Sequence, residues 1–171
     1  YSDIAEGQIK ITGTPQFDHY QKPDLIQSRE DFAKKYDLAV EKSWVLFSGD
    51  DKRTSPYDAE YLSDVVAAVG DEQDIEILFR QVPVESTERY DTVLKKRAVH
   101  HIAPLWQASA HWTGFMPTHE DIVLLVNLSY HCRIVINVGS TMALDFASFD
   151  NVGLYLNYDQ AHAQNWSVDT I

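Results

Sequence analysis

Several things are scarce in this chain, and each scarcity excludes something. Cysteine occurs once, as Cys132, so no internal disulfide can form, and a cytoplasmic setting is expected. It sits where a helical pattern gives way to an apolar strand, and the reading is a buried small hydrophobe rather than a nucleophile. No apolar run approaches the ~20 residues of a membrane span, and nothing resembles a signal peptide. Cations are scarce too. Against 26 acids stand 14 lysines and arginines, a formal charge of −12, which argues against nucleic-acid polymers and anionic membrane surfaces as partners.

The distribution of charge says more than its sum. Between Asp50 and Glu76 nine acids face only Lys52 and Arg53. A short basic island follows, with Arg80, Arg89, Lys95, Lys96 and Arg97. Beyond it only Arg133 carries a permanent positive charge, although six of the seven histidines lie there. A phosphate bound by the last third must therefore use backbone N–H groups, hydroxyls or a histidine. His100, His101, His111, His119 and His131 make no metal-ligand spacing, so neither a metal site nor a cofactor is expected.

What is present is an alternation of strands and helices. Gln8–Thr12 alternates polar and apolar residues ahead of Gly13-Thr14-Pro15, the pattern of a strand entering a turn. Residues Gln16 to Gln27 read as a loop or hinge, and Ser28 as the cap of a short helix through Tyr36. Trp44–Phe47, Ile75–Phe79 and Arg133–Val138 are apolar strands, with weaker ones at Val99–Ala103 and Leu154–Tyr158. Helical spacing covers Asp58–Val69 (ended by Gly70), Glu85–Lys96, Thr118 to about Tyr130 behind a Thr-x-x-Asp cap, and Thr141–Phe149. Strands apolar on both faces predict a doubly wound, Rossmann-like α/β domain, a mainly parallel sheet with helices on both sides. Residues 1–171 are read as one such domain, expected to be a fragment of a longer two-domain protein.

The densest signal runs from Ile134 to Ala147. A strand ends, Gly139 turns the chain, and Ser140 and Thr141 open an apolar helix. Such a turn offers unpaired N–H groups to an anion at the carboxyl end of a parallel strand, or else its hydroxyls simply cap the helix. Asp145 is the sole charge between Arg133 and Asp150, and it accepts either from a ligand's ribose or from donors within the protein. The loop with Trp106, His111, Trp112, Phe115 and His119 is rich in aromatics, the composition of a small satellite core under a long loop.

The run Ser140-Thr141-Met142-Ala143-Leu144-Asp145, with Phe149-Asp150-Asn151 and Tyr155 to Tyr158-Asp159 behind it, resembles a stretch of capsule and teichoic-acid transferases of the GT-B fold. Thr12-Gly13-Thr14-Pro15-Gln16-Phe17-Asp18 is similar to the turn that opens their C-terminal domain. Arg80-Gln81-Val82-Pro83 stands where they carry a basic residue before a His-Pro pair, with Val82 in place of the histidine. Val152 stands where a proline usually precedes the last strand.

The resemblance implies a domain that binds a nucleotide-activated sugar or polyol donor. In that reading Ser140 and Thr141, with Gly139, contact the donor phosphates. Arg80 adds positive charge, Asp145 holds the ribose or the loop, and Trp112 is the candidate stacking residue. The acceptor site and general base would lie on an N-terminal domain. Two alternatives share the fold: a nucleotide-sugar 2-epimerase half, and a non-catalytic nucleotide-binding module.

Overall fold

The computed structural model describes residues 6–69, 72–96, 99–107, 114–162 and 166–170. Gly70, His111 and Trp112 lie outside them. Five parallel strands form the sheet: β1 (Ser43–Ser48), β2 (Ile75–Arg80), β3 (Val99–His101), β6 (Ile134–Asn137) and β7 (Val152–Tyr155), in the order β3-β2-β1-β6-β7. A separate antiparallel pair joins β4 (Trp106–Gln107) to β5 (Met116–Pro117). The chain builds outward from β1 in one direction through β2 and β3, then returns to build outward in the other through β6 and β7. This is the doubly wound arrangement, with its reversal of strand order between β1 and β6.

Alternation along the strands sends side chains to two separate cores. Trp44, Leu46, Leu78 and Val135 pack with Phe32 of α1 (Arg29–Tyr36), Leu124 and Leu128 of α4 (His119–His131), and Phe146 of α5 (Met142–Ala147). Phe47, Ile77 and Phe79 meet Tyr61, Leu62 and Val65 of α2 (Asp58–Val69) and Val93 of α3 (Asp91–Lys96) on the other face. Cys132 is buried in the first core, where burial pushes its thiol up to about 12. Among the described residues no helix is long and apolar enough to cross a membrane.

Several local expectations are corrected. Residues 9–14 form no strand: a 3₁₀ turn covers Glu6–Gln8, and Ile9 and Ile11 stand 62% and 98% exposed. Alternation produces a strand only where a sheet edge accepts it, and this segment lies outside both sheets. Pro15–Gln21 and Pro23–Leu25 are 3₁₀ helices rather than loop, anchored by Tyr20 and Leu25. The helix expected from Glu85 begins later, as a 3₁₀ turn at Glu88–Tyr90 leading into α3, because Arg89 is drawn to the Asp50 and Ser55 carbonyls. Helix α5 is only six residues long and ends before Asp150, which adopts the left-handed conformation at φ 56°. The last strand starts two residues early because β7 follows the register of β6, with Ile134 opposite Val152.

Two features make quantitative predictions. Helix α5 crosses β7 so closely that a Cβ on Gly153 would lie 2.8 Å from that of Ala143. Gly153→Ala is expected to cost about 1–3 kcal/mol by overpacking, and Ala143→Gly should recover part of it. Urea unfolding of both single variants and the double variant measures this, and strictly additive losses would contradict the close contact.

Asp58, at the start of α2, is buried, and burial raises its carboxyl from 3.8 to about 6, although the Tyr90 hydroxyl donates to it at 2.7 Å. A raised folded value means that Asp58 favours the fold fully below its unfolded value of 3.8, and that this contribution disappears as pH rises through about 6. Asp58→Asn does not titrate there. Its stability relative to the parent should shift in its favour by about 1–3 kcal/mol between about pH 4 and about pH 7.5. A difference that stays constant, or moves the other way, would contradict this.

Candidate functional site

The carboxyl ends of β1, β2 and β6 converge on a cleft of about 360 Å³ at the reversal of strand order, the place where open α/β sheets bind ligands. Its walls carry Ser48, Gly49 and Asp50 after β1, Arg80 to Pro83 after β2, Gly139 to Met142 after β6, and Asp145, Trp106 and Leu125. A second cavity of about 490 Å³ adjoins it, sharing Trp106, Leu125, Thr141 and Asp145 and adding Gln16, His19 and Tyr20. Five of the six expected site residues, Arg80, Gly139, Ser140, Thr141 and Asp145, thus line one cleft, and the sixth, Trp112, lies outside the described residues.

Arg80 ends β2 almost wholly buried, and its Nη2 donates to both oxygens of Asp121, at 2.8 and 2.9 Å. The same carboxylate accepts from the Leu105 backbone and from Trp106 Nε1, both at 2.7 Å. Asp121 is fully buried, and its carboxylate is held by three donors from two segments, the end of β2 and residues 105–106. The Nη1 of Arg80 is also buried and has no hydrogen-bond partner among the described residues. Asp121 is the Asp of the Thr-x-x-Asp pattern, and the cap forms in one direction only. Thr118 Oγ1 accepts from the Asp121 amide at 3.1 Å, whereas the Asp121 side chain turns to Arg80.

Three amides of the turn at Gly139, expected to be free, are engaged within the protein. The Gly139 amide donates to Asp50 Oδ2 at 3.1 Å, the Ser140 amide to Asn137 Oδ1 at 2.9 Å, and the Met142 amide to Ser140 Oγ at 3.3 Å. Ser140 Oγ also pairs with Ser48 Oγ at 3.0 Å, tying the ends of β6 and β1 together. Thr141 caps no amide of α5 with its side chain and is exposed at the rim. Gly139 has an ordinary φ, and a Cβ there would meet nothing within 4 Å, so the fold itself does not require glycine.

The opposite lip is shaped by Gly49, where a Cβ would come within 2.9 Å of the Tyr90 hydroxyl and 3.2 Å of Asp58 Oδ2. No larger residue fits there. The Asp50 amide donates to Asp58 at 3.1 Å, and Arg89 holds the Asp50 and Ser55 carbonyls, so the backbone of this lip is fixed from two sides. Burial raises the Asp50 carboxyl, while the Gly139 amide draws it back. Asp145 is half-buried: burial raises it, and the Tyr20 hydroxyl and Arg80 oppose that rise. Among the described residues no group of three or more His, Cys, Asp or Glu is placed to hold a metal ion.

Asp50, Asp121 and Tyr20 were not singled out from the sequence. Asp50 had a signal, since Ser48-Gly49-Asp50 repeats behind β1 the strand–glycine–polar pattern that marks Gly139 behind β6. Asp121 bears on the cleft only through Arg80, and Tyr20 lines the adjoining cavity; both placements come from tertiary packing that no local pattern announces.

No family model and no curated protein matches the chain. Among solved structures it is similar to the S. aureus MnaA–UDP co-structure, with a TM-score of 0.59 and 15% identity, covering 91% of this chain and 38% of that one. The chain therefore spans well under half the length of that protein. The likeness lies in the fold, the Rossmann-like α/β architecture consistent with half of a GT-B protein.

Proposed function

We propose that this chain is the donor-binding domain of a glycosyltransferase that moves a sugar or polyol phosphate from a nucleotide-activated donor to a glycan acceptor. The observation that carries this reading is the cleft at the strand reversal, which gathers Arg80, Ser140, Thr141 and Asp145 from segments far apart in sequence. That a solved structure of similar fold holds UDP supports a nucleotide as the ligand class. Donor phosphates would take the hydroxyls of Ser140 and Thr141 and the field of Arg80, and Asp145 would accept from a ribose. Catalysis would come from stabilising charge on the departing nucleotide phosphate. The acceptor and general base would be supplied by an N-terminal domain, so this chain alone should bind nucleotide weakly and show no transfer.

A second reading, a nucleotide-binding module without turnover, is favoured by one observation: Val82 occupies the place of the histidine in the resembling transferases. Joining the chain to a catalytically competent N-terminal domain and assaying transfer separates the two.

The binding claim is tested by calorimetric titration with UDP, CDP and their nucleosides. Arg80→Ala would strand the buried Asp121 carboxylate and damage the fold, so Arg80→Lys is the informative variant. It should weaken nucleoside diphosphate binding by about 1.5–3 kcal/mol and leave nucleoside binding nearly unchanged. Equal losses for both ligands would make Arg80 structural.

Gly139→Val adds bulk toward the cleft where the fold has room for it. It should abolish diphosphate binding with little change in melting temperature. Ser140→Ala combined with Thr141→Ala should lower diphosphate affinity at matched folded fraction. Retained affinity in all of these variants would remove the donor site.

A further inference from the structure

The amide of Gly139 is already engaged by an anion, and that anion belongs to the protein. Asp50 Oδ2 accepts from it at 3.1 Å, bridging the loops behind β1 and β6 across the mouth of the cleft. The two partners are 89 residues apart, so the contact is tertiary rather than a local turn bond.

The backbone of Asp50 is held independently of its side chain. Its amide donates to Asp58 and its carbonyl accepts from Arg89. Among the described residues the Gly139 amide is the one hydrogen-bond donor to the Asp50 carboxylate. The side chain can therefore rotate away without dismantling the loop, at the cost of a single hydrogen bond.

The neighbourhood explains why an anion is wanted there and why Asp50 holds its place weakly. Arg80 lines the same cleft with Nη1 buried and without a hydrogen-bond partner among the described residues, so the positive side of the site is incompletely satisfied. The negative side is crowded, since Asp58 and Asp51 lie near Asp50 with Arg89 as the nearby cation. An incoming anion must take the Gly139 amide from Asp50 and then sit beside the displaced carboxylate. Two like charges at such range cost more than the hydrogen bond returns, unless the ligand is anchored elsewhere as well.

We propose that Asp50 is a specificity-determining residue of this cleft, whose carboxylate occupies the Gly139 amide and so excludes simple anions. Only ligands that bring a second anchor, such as a nucleoside filling the adjoining cavity, displace it. This rests on the nucleotide-donor reading of the cleft, and names the residue that sets its selectivity.

The test compares the parent chain with Asp50→Asn and Asp50→Ala, each shown to be folded by its melting transition. Inorganic pyrophosphate, uridine and UDP are titrated at constant ionic strength. Asp91→Asn removes one exposed charge away from the cleft and controls for net charge. Pyrophosphate affinity should rise about tenfold in both Asp50 variants, equivalent to about 1.4 kcal/mol. Uridine affinity should stay within about twofold, and Asp91→Asn should change pyrophosphate by less than about twofold.

Pyrophosphate affinity that is unchanged, lower or undetectable in the Asp50 variants overturns the proposal, as does an equal gain in Asp91→Asn. If pyrophosphate tightens while no protein binds uridine or UDP, the Asp50 assignment to the Gly139 amide stands and the nucleotide reading fails. If UDP binds and pyrophosphate is indifferent to Asp50, the nucleotide reading stands and Asp50 is not its selectivity residue.

Discussion

Arg80 and Asp121 are each almost wholly removed from water, at 5% and 0% side-chain exposure, and neither is tolerable there without the other. Their pairing joins the end of β2 to the first turn of α4. Through the same carboxylate it also fixes the backbone at Leu105 and the indole of Trp106. The back of the cleft is therefore built on one ion pair and its hydrogen bonds. The pair also sets the electrostatics of the site. A cation that would otherwise attract any anion is largely neutralised, with one arm left without a partner among the described residues.

The front of the cleft follows a different logic. Ser48 and Ser140 tie the loops behind β1 and β6 together, and Asp50 reaches across to Gly139. These contacts between polar groups at the strand ends hold the two loops against each other. Gly49 and Gly139 play opposite parts in this. The first is glycine because Tyr90 and Asp58 leave no space, and the second leaves space that the fold does not use. Lack of space accounts for Gly49, whereas packing places no such demand on Gly139.

Apolar runs buried on both faces were legible: Trp44–Phe47, Ile75–Phe79 and the strand before Val138 could not be exposed at tolerable cost, so their composition reports their place. Ile9 and Ile11 had the right alternation and no sheet to join, because pairing partners are a tertiary property. In the site, Arg80 and the Gly139 turn could be found because strand ends are local features. What Arg80 does could not, since its partner is 41 residues away and was read as a helix-cap residue. The amides of the Gly139 turn looked free because a sequence shows where donors occur but not which acceptors fold back onto them.

A nucleotide whose phosphates enter the cleft at the strand reversal, between the loops behind β1 and β6, must perturb those loops first. UDP is titrated into isotopically labelled protein while backbone amide and arginine side-chain resonances are followed. The largest shifts are expected on Gly49, Gly139, Ser140, Thr141 and the Arg80 side chain, with smaller ones around Trp106. Shifts confined to the groove that Ala59, Glu60 and Ser63 of α2 form with Thr92 and Val93 of α3, or no saturable shifts at all, would contradict a phosphate site in the cleft.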